Sequence, residues 1–331
     1  MNRGFVSRYR ASICFRLLPA VFLAISACTS GAEQRFELLD PHATGIGFVN
    51  ELKPTPELNI FNYLYYYDGG GVAAGDLNRD GLPDLYFTSN QGQNRLYINR
   101  GNFRFEDVTD RAFGAQPEFW STGVVLVDIN GDGLLDIYVS NVGGYPPFAG
   151  HNQLFINQGS DQNGIPRFAE RAAAYGLDLV GLSTQAVFVD CDGDGDLDLY
   201  MMNHSLHAFG TFTDTTLRRK RHPLAGDRLF RNMGGKFTEI TDQAGIYSSA
   251  LGYGLGIGIG DLNEDGHPDI YVGNDFHEDD YLYLNNGDCT FTESLGKMIR
   301  HTSYSSMGND LVDINNDGLI DIISLDMLPE E

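Results

Sequence analysis

Asp76-Leu-Asn78-Arg-Asp80-Gly81-Leu-Pro-Asp84 is a nine-residue acidic stretch that the chain repeats four more times. The later copies are Asp128-Ile-Asn130-Gly-Asp132-Gly133-Leu-Leu-Asp136, Asp190-Cys-Asp192-Gly-Asp194-Gly195-Asp-Leu-Asp198, Asp261-Leu-Asn263-Glu-Asp265-Gly266-His-Pro-Asp269 and Asp313-Ile-Asn315-Asn-Asp317-Gly318-Leu-Ile-Asp321. All five fit Asp-x-(Asp/Asn)-x-Asp-Gly-x-x-Asp. Oxygen side chains at positions 1, 3, 5 and 9 can converge on one hard cation, with a backbone carbonyl near position 7 as a further ligand. Calcium takes about six to eight oxygens at ~2.3–2.6 Å and tolerates irregular geometry, whereas magnesium demands a strict octahedron. The glycine at position 6 permits the positive-φ bend that turns the side chains inward. The expectation is up to five calcium ions.

These loops are not EF-hands, which need a bidentate glutamate at position 12 and an exiting helix. Position 12 is Phe87, Val139, Met201, Val272 and Ser324. Each loop runs instead into apolar and β-branched residues such as Ile137-Tyr138-Val139, and stretches such as Val124-Val125-Leu126-Val127 lead into it. That is strand chemistry on both sides.

The loop starts lie 52, 62, 71 and 52 residues apart, which is the spacing of a repeated supersecondary unit. Each full unit reads in the same order. A glycine-rich strand enters the loop, and a second strand leaves it. A third follows (Arg95–Ile98, Gln153–Ile156, Arg228–Arg231, Tyr281–Leu284), and a fourth opens on Phe105, Phe168, Phe237 or Phe291. Four short antiparallel strands per unit make a propeller blade. The fold predicted is therefore an all-β propeller of four-stranded blades over residues 36–331, with no helical period after residue 30. The fifth unit holds only two strands, so about four and a half blades are present, expected as part of a larger propeller. Phe36–Asp40, with Gly45-Ile46 behind it, matches the fourth strand and tail at Phe237–Asp242 and Gly245-Ile246, so an orphan fourth strand is expected there.

The loops, the glycine-rich first strands, and phrases such as Gly70–Asp76, Asn94–Asn99, Asn203-His-Ser205 and Ser306–Asp310 resemble FG-GAP/VCBS repeats. Such repeats occur in the propeller of integrin α chains and in bacterial surface lipoproteins related to cartilage acidic protein. The resemblance implies a propeller whose loop acids hold calcium at the template positions quoted above. It leaves the biochemical role open, because one fold hosts many functions.

Residues 1–28 read as a targeting segment. Arg3, Arg8, Arg10 and Arg16 precede an apolar run at Leu17–Ala27, too short for a spanning helix of ~20 residues. Ile25-Ser26-Ala27-Cys28 resembles a bacterial lipoprotein box, which implies acylation at Cys28, a short tether over 29–35 and, since Thr29 follows, the outer membrane. The expected location is exported, lipid-anchored and at the cell surface.

The formal charge is −23, or −27 once residues 1–27 are removed. Nucleic acid is an unsuitable partner for so acidic a surface. Of 45 acidic residues, 16 sit in the loop templates, so folding and calcium binding are expected to be linked. Cys191 and Cys289 remain in the exported chain as either a disulfide or free thiols.

Three further features invite a functional reading. Arg218–His222, in an insertion spanning roughly 204–227, is the one basic run of the exported chain and reads as a contact for an acidic partner or sugar, or as a solvated loop. Asn274–Asp280 is acidic and aromatic and reads as a further cation or ligand contact, or as an exposed loop. The first strands begin with small polar residues, and in a propeller those ends ring one mouth of the central channel. Thr122, Gln185 and Met307 are therefore candidate ligand contacts. No catalytic motif is present. The reading is a non-catalytic module for adhesion or recognition of a protein or glycan. Its rivals are a calcium-dependent enzyme using His151, His204 or His277, and a nonfunctional fragment of a longer surface protein.

Overall fold

The computed structural model describes residues 36–206, 215–276 and 278–327. The chain divides into two units, 1–39 and 40–331. Of the first, only 36–39 are described, and residues 36–40 form no strand among the described residues. The orphan strand expected there is therefore not formed. Cys28 and the targeting segment lie outside the described residues.

The second unit is built from four-stranded antiparallel blades, each strand bonded to the next in sequence order. Blade one is β1 Val72–Gly75, β2 Asp84–Phe87, β3 Arg95–Asn99 and β4 Phe105–Asp107. Blade two is β5 Trp120–Val127, β6 Asp136–Val142, β7 Gln153–Ser160 and β8 Pro166–Glu170. Blade three is β9 Ser183–Val189, β10 Asp198–Asn203, β11 Arg228–Asn232 and β12 Phe237–Glu239. Blade four is β13 Gly254–Gly260, β14 Asp269–Asn274, β15 Tyr281–Asn285 and β16 Phe291–Glu293. The fifth sheet pairs β17 Ser306–Val312 with β18 Asp321–Asp326. In every blade the acidic loop is the link between the first two strands, as its sequence requires.

The second strands of blades two, three and four are buried along their length, each packed against neighbouring blades, while β2 is buried only at alternate residues and the fourth strands carry the polar edge. Each core cluster is shared by neighbours. Leu77, Tyr86 and Ile98 of blade one pack with Val124, Ile137 and Phe155 of blade two. Tyr138 and Leu154 pack with Leu199 and Phe230 of blade three. Tyr200 and Leu229 pack with Ile270, Val272 and Tyr283 of blade four. No blade buries its faces alone.

Single helical turns at Thr109–Phe113, Ala172–Tyr175 and Leu295–Met298 follow the fourth strands, too short to leave a helical period in the sequence. After these tails the chain presses on the next blade. Gly45, Gly176 and Gly245, all with φ between 76° and 79°, sit on the carbonyls of Phe105, Phe237 and Phe291, where a Cβ would approach to 2.4, 3.1 and 2.7 Å. Gly45 thus occupies the place of a blade tail, as its likeness to Gly245 suggests. Cys191 and Cys289 are disulfide-bonded, with Cα atoms 4.8 Å apart, joining the loop of blade three to the outer hairpin of blade four.

Candidate functional site

The acidic loops share one backbone. Position 6 has positive φ in all five: Gly81, Gly133, Gly195, Gly266 and Gly318, from 82° to 92°. A second left-handed residue sits at position 4, and there three are not glycine: Arg79, Glu264 and Asn316, at 59° to 61°. Such a conformation costs a non-glycine residue about 1–2 kcal/mol. The sequence gives no warning of it, because position 4 has no consistent residue type.

Asp76 shows why the bend holds. Its Oδ1 accepts from the Asp80 amide at 3.0 Å and its Oδ2 from the Gly81 amide at 2.8 Å. Asp128, Asp190, Asp261 and Asp313 do the same in their loops. Asn78, Asn130, Asn263 and Asn315 accept from the position-5 amide as well. The oxygens of positions 1, 3 and 5 (Asp80, Asp132, Asp194, Asp265 and Asp317 at the last) are thereby gathered on the inside of one turn.

Position 9 plays a different part. Asp84, Asp136, Asp198 and Asp269 are buried. Asp84 Oδ2 accepts from the Leu77 amide at 3.0 Å, and its Oδ1 from the Asn99 amide at 2.8 Å. Asp136, Asp198 and Asp269 repeat this with Asn157, Asn232 and Asn285. Asp321, on the two-stranded fifth sheet, keeps the bond within its loop, from the Ile314 amide at 3.1 Å. Burial pushes the Asp84, Asp136 and Asp198 carboxyls up to about 6, with the neighbouring loop acids adding to it against the backbone donors. A bound cation would restore the charged form.

An asparagine in each third strand, at its end in blades one, three and four and within it in blade two, is a site residue that the loop template does not include. Its signal was its recurrence at Asn99, Asn157, Asn232 and Asn285. Asn157 Nδ2 reaches back to the Leu77 carbonyl in the loop of blade one at 2.9 Å, and Asn285 Nδ2 to the Cys191 carbonyl at 2.9 Å. The next blade therefore clamps each of these loops.

The donor set suits calcium. In the third loop, ligand oxygens of Asp190, Asp192 and Asp194 lie within 4.8 Å of one another, a separation one ion at ~2.3–2.6 Å can bridge. That loop also has a counter-ion of its own, since Arg231 of β11 pairs with Asp192. Cys191 and Cys289 approach Asp198, but their sulfurs are joined to each other.

At the opposite ends of the inner strands, about 20 Å from the loops at ~3.3 Å per residue, lies a cavity of about 590 Å³. Bulges build its rim. The pairing slips at Ser121/Val124, at Met202/Asn203, at Gly254/Gly256 and at Ser306/Gly308. The residues thrown out of register are Thr122 with Gly123, Thr184, Leu255 and Met307, and all five line the cavity. A bulge re-aims a side chain in this way. The three candidate contacts, Thr122, Gln185 and Met307, are thus brought to one cavity. Thr122 is less available than the others, because its hydroxyl donates to the Ser183 carbonyl at 2.8 Å.

A segment that the sequence reading passed over covers this mouth. Leu52, Leu58, Ile60, Tyr63, Tyr65 and Tyr66 pack on Trp120, Leu182 and Tyr253 at the starts of three blades. His204 is fixed inside this layer. Its Nδ1 faces the Ser205 carbonyl at 3.0 Å and its Nε2 the Tyr63 hydroxyl at 2.9 Å, and its ring stacks on Tyr65. Burial pushes its pKa down to about 4, so it is neutral. His151 packs edge-on to Phe119, and His277 lies outside the described residues. Asp68, an exposed residue, lines the cavity, and partial desolvation followed by the nearby Asp275 raises its carboxyl to about 6.

The basic run has its partners within the chain. Arg218 pairs with Glu278 at 2.8 Å and Asp279 at 3.0 Å, and Arg221 with Glu239 and Asp242. The basic insertion and the acidic segment at 274–280 are therefore two halves of one contact between blades three and four.

A model of the FG-GAP-like repeat matches residues 76–139 and 261–324, which hold loops one, two, four and five. The chain carries FG-GAP repeats. Over 138 residues it is 34% identical to human cartilage acidic protein 1, covering 40% of this chain and 20% of that protein. Over 149 residues it is 30% identical to integrin alpha-4 of Xenopus laevis, covering 40% of this chain and 14% of the integrin. The chain thus spans about a fifth or less of the length of these curated relatives. Among solved structures, a lectin of Agrocybe aegerita that recognises non-reducing terminal N-acetylglucosamine aligns with a TM-score of 0.40 at 20% identity, over 76% of this chain and 59% of the lectin. Each match begins at position 1 of a loop and ends in the second strand of the following sheet, so it runs from one blade into the next. Among the described residues no helix is long and apolar enough to cross a membrane.

Proposed function

We propose that this FG-GAP-repeat propeller is an exported, calcium-binding recognition module, held at the cell surface by acylated Cys28, whose ligand face is the channel mouth. One observation carries the reading. Five loops of one geometry gather oxygens at one end of the inner strands, while four bulges open a cavity at the other. Calcium at the loops would offset their clustered charge and stiffen the blades, and Asp76, Asn78, Asp80 and Asp84, with their counterparts, would hold it. The ligand is an extracellular protein or glycan.

Recognition is favoured over catalysis because His204, the histidine at the mouth, has both ring nitrogens engaged and is neutral. A thermal melt across a calcium titration tests the metal half. The melting temperature should climb with calcium and fall in chelator, and an unchanged melt would sink the reading. Export and anchoring are tested by fractionation: Cys28→Ser should move the protein from the membrane fraction to the soluble one.

A further inference from the structure

The mouth cavity has an unusual wall. At the register five residues before each loop the chain has Gly71, Gly123, Gln185, Gly256 and Gly308. Gln185 is the one side chain in a ring of glycines, and it leans over its neighbour so closely that a Cβ on Gly123 would strike its Oε1. Among the described residues the Gln185 amide makes no hydrogen bond, and the Asp68 carboxylate makes neither hydrogen bond nor ion pair. The Tyr65 hydroxyl and Trp120 Nε1 also lack a partner among the described residues, but both atoms are buried within the wall rather than open to the cavity. Leaving such donors unpaired costs about 1–3 kcal/mol each.

Among the described residues no lysine or arginine lines the cavity, and an acid does. A phosphate, sulfate or carboxylate ligand would meet repulsion without compensation. An organic ammonium would suit Asp68, but it has no acceptor for the Gln185 amide donor. A sugar hydroxyl both donates and accepts, and the apolar face of a pyranose packs against aromatic rings. The volume of about 590 Å³ falls in the ~300–1,000 Å³ range of small-ligand pockets.

We propose that the mouth cavity binds a neutral saccharide, with Asp68 and Gln185 bonding its hydroxyls and Tyr65 and Trp120 forming its aromatic wall. This rests on the mouth being the ligand face, and it names the ligand class.

Trp120 is the chain's single tryptophan, so its fluorescence reports the cavity directly. The calcium-loaded protein is titrated with cellotriose, mannotriose and maltotriose, and separately with tetramethylammonium. A saturable emission change with a saccharide is expected, weakened about tenfold or more in Gln185→Ala and in Asp68→Asn. Melting curves confirm that both variants fold. A response to tetramethylammonium alone would overturn the saccharide class and leave the mouth as the ligand face. Silence toward every probe, with the calcium-dependent melt intact, would overturn the mouth reading together with the saccharide. Saccharide binding unaltered in both variants would place the site elsewhere.

Discussion

The Thr122 hydroxyl donates to the Ser183 carbonyl across the boundary between blades two and three, at 2.8 Å. Thr184 repeats the move one blade on, reaching the Gly254 carbonyl at 3.3 Å. These threonines latch adjacent inner strands at the mouth. Thr122→Val should therefore lower stability by about 1 kcal/mol in denaturant unfolding. It should shift the Trp120 fluorescence titration far less than Gln185→Ala, because the Thr122 hydroxyl is already engaged with the Ser183 carbonyl.

Asn157 ties loop one to blade two through its bond to the Leu77 carbonyl, and it also reaches the Leu135 carbonyl at 3.1 Å. Replacing it by alanine leaves one buried and one half-buried carbonyl without this donor. A loss of about 2–3 kcal/mol is expected from urea unfolding in saturating calcium. A loss below ~0.5 kcal/mol would show that the clamp is unimportant.

Gly245 combines a φ of 77° with a contact on the Phe291 carbonyl that admits no Cβ. Gly245→Ala should cost about 2 kcal/mol or more, through strain and the displaced neighbour. Gly193, also left-handed but open on its Cβ side, provides the control. Alanine there should cost only the conformational part, about 1 kcal/mol, in the same unfolding assay.

Asp227 is buried where blade two has Asn152. Its carboxylate accepts from the Tyr200 hydroxyl at 2.7 Å and the Asn203 amide at 3.0 Å, as Asn152 accepts from the Asn141 amide. Tyr200, Tyr281 and Tyr283 surround it. Burial raises its pKa to about 7 against these donors. The folded state thus holds the proton more tightly than the unfolded one. The stabilisation is complete below about pH 4 and is lost as pH rises through about 7. Asp227→Asn should remove that loss and gain on the order of 2 kcal/mol at pH 8, with little change at pH 4. Melts at the two pH values would check it, and equal shifts at both would contradict it.

Arg231 stands where the other third strands have Ile98, Ile156 and Leu284, and it faces the one loop with aspartate rather than asparagine at position 3. Arg231→Leu should strip Asp192 of its counter-ion, costing about 1–2 kcal/mol in chelator and less in calcium. Adding Asp192→Asn recreates the pair used in the other blades and should restore stability. Melts of the single and double variants with and without calcium decide it. A double variant no better than the single one would refute the charge argument.

Much of this protein is local, and what is local was legible. The spacing of Asp76, Asn78, Asp80, Gly81 and Asp84 determined an acidic loop between two strands, and its recurrence determined the order of strands in each blade. Turn chemistry and two-residue alternation act over a handful of residues, so a sequence displays them openly. The contacts that make the blades one object join residues far apart in sequence. Cys289 meets Cys191, Asn157 clamps Leu77, Arg218 finds Glu278, and Tyr63 bonds His204 at a separation of 141 residues. The tertiary structure also decided that Thr122, Thr184, Leu255 and Met307 share a cavity, because four bulges and the stacking of five sheets set their directions. No periodicity encodes such meetings. They follow from apolar second strands that can be buried only against a neighbouring blade.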